Sequence, residues 1–175
     1  MRRLLLFRHA KAERAEPGAK DQARPLTERG RADAKLIGAY LARHAFVPDR
    51  VLVSTSARTR ETWSQAVTAL ESSPAALFDE RIYQAGVQTL TQLIKETPAD
   101  AQRLMVIGHN PGLHEFAMLA VASGDIDARE RLREKLPTSG LVIIDFAFDD
   151  WAKLHAHSGR LERFVSPKSI AAATK

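Results

Sequence analysis

Three apolar runs in this chain stop abruptly at side chains suited to a polar rim, and that repetition restricts the fold more than any other feature. Leu4-Leu5-Leu6-Phe7 runs into Arg8-His9-Ala10, Val51-Leu52-Val53 into Ser54-Thr55-Ser56-Ala57-Arg58, and Leu104-Met105-Val106-Ile107 into Gly108-His109-Asn110-Pro111-Gly112. A short continuous apolar run bounded by polar residues reads as a strand buried on both faces, as in parallel sheets covered by helices. Strands of that kind deliver their next few residues to the rim where open α/β folds bind ligands. Here the three ends deliver Arg-His, Arg and His.

The segments between the runs carry helical periodicity. A helix is expected over 28–45, with Thr27 as N-cap and Leu36, Ile37, Tyr40 and Leu41 as its apolar stripe. A second, over 57–71, repeats Trp63, Ala66, Val67 and Leu70 at helical spacing, with Ser56 placed to cap it. A short strand at 76–79, a helix near 87–96 with Leu90, Leu93 and Ile94 inward, and a strand at 103–108 come after it. The next helix starts at Gly112, with Asn110 reading as its N-cap and Pro111 as its first position. Leu141–Phe146 and Gly159–Val165 supply two more strands. This alternation predicts a three-layer α/β fold, a mainly parallel central sheet with helices on both faces. With 175 residues the chain fits one domain over 1–167, and 168–175 is expected to be a flexible tail.

Composition removes several classes of function. There is no cysteine, which excludes disulfides, cysteine-based zinc sites and thiol nucleophiles. The net charge of +5 suits an anionic partner, yet the cations are interleaved with acids, and the densest run, Arg129 to Lys135, alternates sign as a solvated helix face does. No aromatics stand among the cations as stacking platforms, so no nucleic-acid partner is expected. The amino-terminal apolar run is short and interrupted by Arg8, which fits neither a signal peptide nor a membrane span, so no membrane association and a cytoplasmic address are expected. His155 and His157 lack a third ligand nearby, and with His44 and His114 they are expected at the surface. No metal site and no cofactor are expected.

Gathered at one rim, the three strand ends suit a phosphoryl group. Transferring that group is mostly positioning and stabilisation of charge on its equatorial oxygens. The guanidiniums of Arg8 and Arg58 offer planar forks that match those oxygens and stay charged. Free N–H groups at the helix starts after Ser56 and Asn110 attract anions too. An imidazole attacks phosphorus when neutral, a form that cationic neighbours favour. His9, fixed at a strand end, is the candidate nucleophile, and His109 the candidate stabiliser of charge.

Leu6-Phe7-Arg8-His9-Ala10-Lys11 resembles the signature of the histidine phosphatase superfamily, the phosphoglycerate mutase-like fold, usually written Arg-His-Gly. Arg24-Pro25-Leu26-Thr27-Glu28-Arg29-Gly30, Val51-Leu52-Val53-Ser54, Ala57-Arg58-Thr59-Arg60-Glu61-Thr62 and Val106-Ile107-Gly108-His109-Asn110-Pro111-Gly112 match in order, from residue 2 to about 166. Within the superfamily the compact length, the Arg-His-Ala-Lys variant and the Gly-His-Asn-Pro-Gly segment are similar to the short SixA-like phosphohistidine phosphatases. The resemblance implies that His9 becomes phosphorylated, that Arg8, Arg58 and His109 hold the phosphoryl group with Asn110 beside them, and that no metal is required. Ala10 stands where the family has glycine, so its backbone must avoid positive φ. Glu80, in Phe78-Asp79-Glu80-Arg81, sits where relatives place the acid that protonates an ester leaving group, and is preferred to Asp79. Arg24 and Lys11 lie in a loop near the expected pocket, and Arg60 reads as a helix-surface residue.

The expected activity is a metal-independent phosphohydrolase acting on phosphohistidine of a signalling or phosphotransfer protein. The spans between core elements hold no insertion large enough to close over the site. A phosphatase of small phosphate esters is the alternative enzyme, and a phosphate-binding module without turnover the non-enzymatic one.

Overall fold

A computed structural model describes residues 1–174. Strands β1 (Arg2–Arg8), β2 (Arg50–Val53), β3 (Ala75–Phe78), β4 (Arg103–Gly108), β5 (Val121–Gly124), β6 (Leu141–Phe146) and β7 (Gly159–Val165) form one sheet, in the order β3-β2-β4-β1-β6-β7-β5. The pairings β2–β3, β2–β4, β1–β4 and β5–β7 are parallel, and β1–β6 and β6–β7 antiparallel, so the sheet is mainly parallel. Helices α1 (Glu28–Arg43), α2 (Ala57–Ala66), α3 (Val87–Lys95), α4 (Gly112–Ala120), α5 (Ile126–Glu134) and α6 (Pro167–Ala173) accompany it.

The alternation of strand side chains between faces explains the three layers. Leu4 and Leu6 of β1, with Leu104 and Val106 of β4 and Val142 and Ile144 of β6, meet α3, α4 and α5 through Leu90, Ile94, Phe116 and Leu132. Leu5 and Phe7, with Met105 and Ile107, face the other way onto Ile37 and Leu41 of α1 and Trp63 of α2. Both faces of the central strands are therefore dry, and each large side chain contributes roughly 1.5–3 kcal/mol by leaving water. Such burial is what the unbroken apolar runs encode.

The helix boundaries obey local chemistry. Thr27 caps α1 by accepting from the Gly30 N–H, and Ser56 caps α2 by accepting from the Thr59 N–H. Gly30 also lets α1 approach the strand-end loop, because a Cβ there would stand 2.2 Å from the Lys11 carbonyl oxygen. The structure corrects the sequence-based expectations in several details. Leu36 lies on the exposed side of α1, whose buried stripe includes Ala34, Ile37, Gly38 and Leu41. The second helix ends at Ala66 and tightens into a 3-10 turn over Val67–Ala69. Asn110 does not cap α4, because its amide nitrogen donates to the Leu136 carbonyl at 2.9 Å and Pro111 takes the cap position. His114 is half-buried in α4 with Nε2 against the Leu132 carbonyl, which ties it to α5 and away from the surface. The segment expected as a tail enters the helix α6, where Ser166 and Ser169 bond each other's backbone in a capping box and Pro167 sits in the first turn.

Candidate active site

Register alone brings the predicted residues together. Arg8 pairs with Gly108 on one side of β4, and Val53 with Ile107 on the other, so all three strands end at one level. The His9 N–H donates to the Gly108 carbonyl at 3.1 Å and the Ser54 N–H to that of Ile107 at 3.1 Å, extending the ladder one residue beyond the strands. His9 and His109 consequently face each other with ring centroids 5.4 Å apart. Arg58 arrives on the first turn of α2, and that helix is tied to the β1 end through Thr62. The Thr62 hydroxyl donates to the Arg58 carbonyl at 2.7 Å and accepts from the Ala10 N–H at 3.0 Å. Ala10 is fully buried and is absent from the positive-φ positions, as its methyl group requires.

The four gathered side chains are poor in water and rich in positive charge. His9, Arg58 and His109 are all buried, at 9%, 6% and 6% exposure. Burial pushes His9 down to about 4, and the cations Arg58, Arg8 and Arg24 push the same way against the favourable bond to the Ala10 carbonyl. His109 is lowered to about 3, first by burial and then by Arg58 and His9. Arg8 too is lowered, by burial and by Arg58. Both imidazoles are therefore neutral at pH 7.

Hydrogen bonds fix their orientation. His9 Nδ1 lies 2.8 Å from the Ala10 carbonyl oxygen, an acceptor only, so the proton sits on Nδ1 and the lone pair on Nε2. His109 Nε2 lies 2.8 Å from Ser54 Oγ. His109 Nδ1 and the Nε atoms of Arg8 and Arg58 are buried with no partner among the described residues. Buried polar atoms are nearly always satisfied, so three orphan N–H groups on the gathered side chains leave donor capacity that suits a ligand rich in acceptors.

Asp21 completes the site, and sequence reasoning missed it. It sits on the 3-10 turn Asp21–Ala23 of the loop before α1, where its carboxylate accepts from Arg58 at 3.1 Å, from Arg24 at 3.0 Å and from the Tyr83 hydroxyl. Arg58 donates also to the Asp21 backbone carbonyl at 3.0 Å. The Tyr83 hydroxyl bond, with the two arginines, holds the Asp21 carboxyl far below the usual range. The Tyr83 ring stands edge-on to His109, with centroids 5.4 Å apart. Asp21 is anionic in a loop 37 residues from Arg58, and only folding reveals the pairing.

The other candidates differ in how closely they approach the four. Asn110 and Arg8 both donate to the carbonyl of Leu136, at 2.9 and 3.0 Å, so Asn110 stands beside the guanidinium with its Oδ1 buried and unpartnered. Glu80 opens the 3-10 turn that ends next to Tyr83; it is exposed, and its carboxylate forms no hydrogen bond or ion pair among the described residues. Asp79 is bound to Arg81 at 2.8 Å and is thereby occupied. Arg24 donates to the Glu13 carbonyl and to Asp21, whereas Arg60 bonds the Thr55 carbonyl and covers the Phe78 ring. No three His, Asp or Glu side chains gather as metal ligands among the described residues. No described helix is long and apolar enough to cross a membrane.

Comparison with known proteins bears on the family and the fold. The sequence profile of the histidine phosphatase superfamily (branch 1) matches residues 4–144. An uncharacterized protein of Mycobacterium tuberculosis is 32% identical over 164 residues, spanning 93% of this chain and 100% of that protein. Two solved structures share the fold over 95% of the chain. A protein provisionally named phosphohistidine phosphatase SixA from Agrobacterium tumefaciens is 32% identical with a TM-score of 0.78, and 98% of it is covered. Another provisionally named SixA, from Nakamurella multipartitia, is 28% identical with a TM-score of 0.82, and 96% of it is covered.

Proposed function

The chain belongs to branch 1 of the histidine phosphatase superfamily, on its SixA-like side, and from that premise we propose that it removes phosphate from phosphohistidine on a signalling or phosphotransfer protein. The reaction runs without a metal and through a phosphohistidine formed on His9. The observation that carries this reading is the buried pair of neutral imidazoles 5.4 Å apart beside two guanidiniums, with one N–H of His109 and one of each arginine buried and unpartnered.

His9 Nε2 attacks phosphorus, and the bond from phosphorus to the substrate imidazole breaks. The departing imidazole takes a proton from solvent. Arg8 and Arg58 neutralise the oxygens in the transition state, the task that a metal ion performs elsewhere. When the Ser54 hydroxyl donates to His109 Nε2, the ring proton lies on Nδ1 and is a third donor to those oxygens. Water then attacks the phosphoenzyme, the bond from phosphorus to His9 breaks, and inorganic phosphate leaves with His9 neutral again. The links from β2 to α2 and from β4 to α4 are only three residues, 54–56 and 109–111, so on this side only the 9–27 link, which brings Asp21 onto Arg58, stands between the site and a phosphorylated residue on a protein surface.

An ester presents a poorer leaving group than a phosphoramidate, and Glu80 is the acid assigned to protonate it. Turnover of a phosphohistidine protein and of a panel of phosphate esters, by wild type and Glu80→Gln, tests both statements. The expected result is a preference for phosphohistidine, with Glu80→Gln lowering ester turnover about 100-fold and phosphohistidine turnover far less. Preference for an ester by orders of magnitude would replace the substrate, and equal losses on both would remove Glu80 from its role.

A further inference from the structure

Beside the site lies a groove of about 700 Å³ whose rim carries Lys11, Arg29, Arg131, Lys135 and Lys168. Asp33 and Glu134 are its acids, so it concentrates three of the five net positive charges of the chain. Arg29 spends part of its charge on Asp33 at 3.8 Å. The other four cations form no ion pair among the described residues. Along the chain these cations are dispersed, because they come from the loop after β1, from the first turn of α1, from α5 and its end, and from the start of α6.

The segments that line the groove adjoin the catalytic rim in the chain and in the sheet. Lys11 lies two residues beyond His9, at most about 7 Å of extended chain. Val165 pairs with Leu141 and Leu141 with Phe7, so β7 runs out toward α6 at the same level, two strands or about 10 Å from β1. The Ser139 N–H donates to the His9 carbonyl at 3.0 Å, and the neighbouring Thr138 and Pro137 line the groove.

We propose that this groove binds an acidic polypeptide segment flanking the phosphorylated residue of the substrate protein. The inference rests on the phosphoprotein reading above and deepens it. Pro137, Pro167 and Ala172 give the groove apolar walls against which a peptide backbone and side-chain stems pack, while the cations stand around them. A nucleic acid fits less well: the ring that lines the groove, Phe164, is 7% exposed and is covered by Arg131 at 5.4 Å, leaving no face for base stacking. Charges on such a rim act through steering and encounter, so their effect belongs in KM and in salt dependence.

Three measurements test this on the full chain. Phosphohistidine peptides with a Glu/Asp-rich or a Ser/Gln-rich flank are compared with free phosphohistidine, for wild type and for the double variant Lys135→Glu with Lys168→Glu, both exposed positions. Binding of a labelled Glu/Asp-rich peptide without phosphate is monitored by anisotropy, with a short oligonucleotide as rival. The expected results are a KM about tenfold lower for the acidic flank at low salt, loss of that advantage in the double variant with kcat and free phosphohistidine turnover unchanged, and peptide affinity that falls with salt. Equal KM for the two flanks, equal losses on peptide and free phosphohistidine, or tighter binding of the oligonucleotide would overturn the proposal. Absence of turnover on every phosphohistidine substrate, with salt-sensitive peptide binding intact, would strike the substrate assignment and leave the groove standing.

Discussion

In the β3-β2-β4-β1 half of the sheet every neighbour is parallel, whereas β6 enters beside β1 in the opposite direction. The first half therefore sends four carboxyl-terminal ends to the rim, and those of β1, β2 and β4 supply side chains: His9, His109, Ser54 and, one turn on, Arg58. The second half brings the start of β6 and its preceding loop, and supplies backbone. The Leu136 carbonyl anchors Arg8 and Asn110, the Gly140 carbonyl accepts from the Arg8 N–H, and the Ser139 N–H bonds the His9 carbonyl. Direction of pairing thus decides which kind of group a strand contributes. Substitutions should be costly in the first half and mild in the second.

Among substitutions that leave the nucleophile in place, the largest effect is expected at Arg58. Arg58→Ala removes a buried guanidinium that Asp21 holds among the two imidazoles and Arg8, and should lower kcat/KM by about 10²–10³-fold on any phosphate substrate. Arg58→Lys should recover little, since a point charge does not reproduce the fork. Activity within a few-fold of wild type would place the guanidinium outside the reaction.

The pH profile probes the imidazoles of the same half. His9 is lowered to about 4 and His109 to about 3, so kcat/KM on a stable ester should lose activity on the acid side near pH 4, where an unperturbed imidazole would give 6.5. Stability has a matching sign. Between about pH 6.5 and 4 the unfolded chain binds protons that the native imidazoles refuse, so stability falls as pH falls through that window, and urea midpoints measured across it should decline in step. An acid limb at about 6.5 that is not the ester's own second ionisation, at about 6, would mean that at least one of the rings is open to water.

The smallest effect is expected at Ser139, in the second half. Its φ is +59°, its hydroxyl is buried without a partner, and its contribution to the site is the backbone N–H. Glycine relieves a left-handed strain of about 1 kcal/mol at a comparable entropic cost. Ser139→Gly should therefore leave kcat unchanged within about twofold, with little change in Tm. A hundredfold loss would show that this half works through side chains as well.

Legibility from the sequence divides along the same line. The apolar runs of β1, β2 and β4 and the residues after them identify both histidines and both arginines, because local order there coincides with spatial order. Thr27 and Ser56 cap their helices as their positions suggest. Strand β5, Val-Ala-Ser-Gly, has neither an apolar run nor alternation, and pairs only because β7 lies beside it. Helix α6 has a readable signal in Ser166-Pro167 and Ser169, but its place at the chain end masks it. Asn110 looks like a cap until the Leu136 carbonyl competes for its amide. Asp21 and Tyr83 meet Arg58 across loops, and nothing in their own neighbourhoods foretells it.

The central claim is that His9 carries the phosphoryl group between substrate and water. The most direct test is to mix the enzyme with a ³²P-labelled phosphohistidine protein, quench within milliseconds and locate the label. The account predicts an acid-labile, alkali-stable label on the His9 peptide in wild type and none in His9→Ala. Label on another residue, or full turnover by His9→Ala, would contradict it.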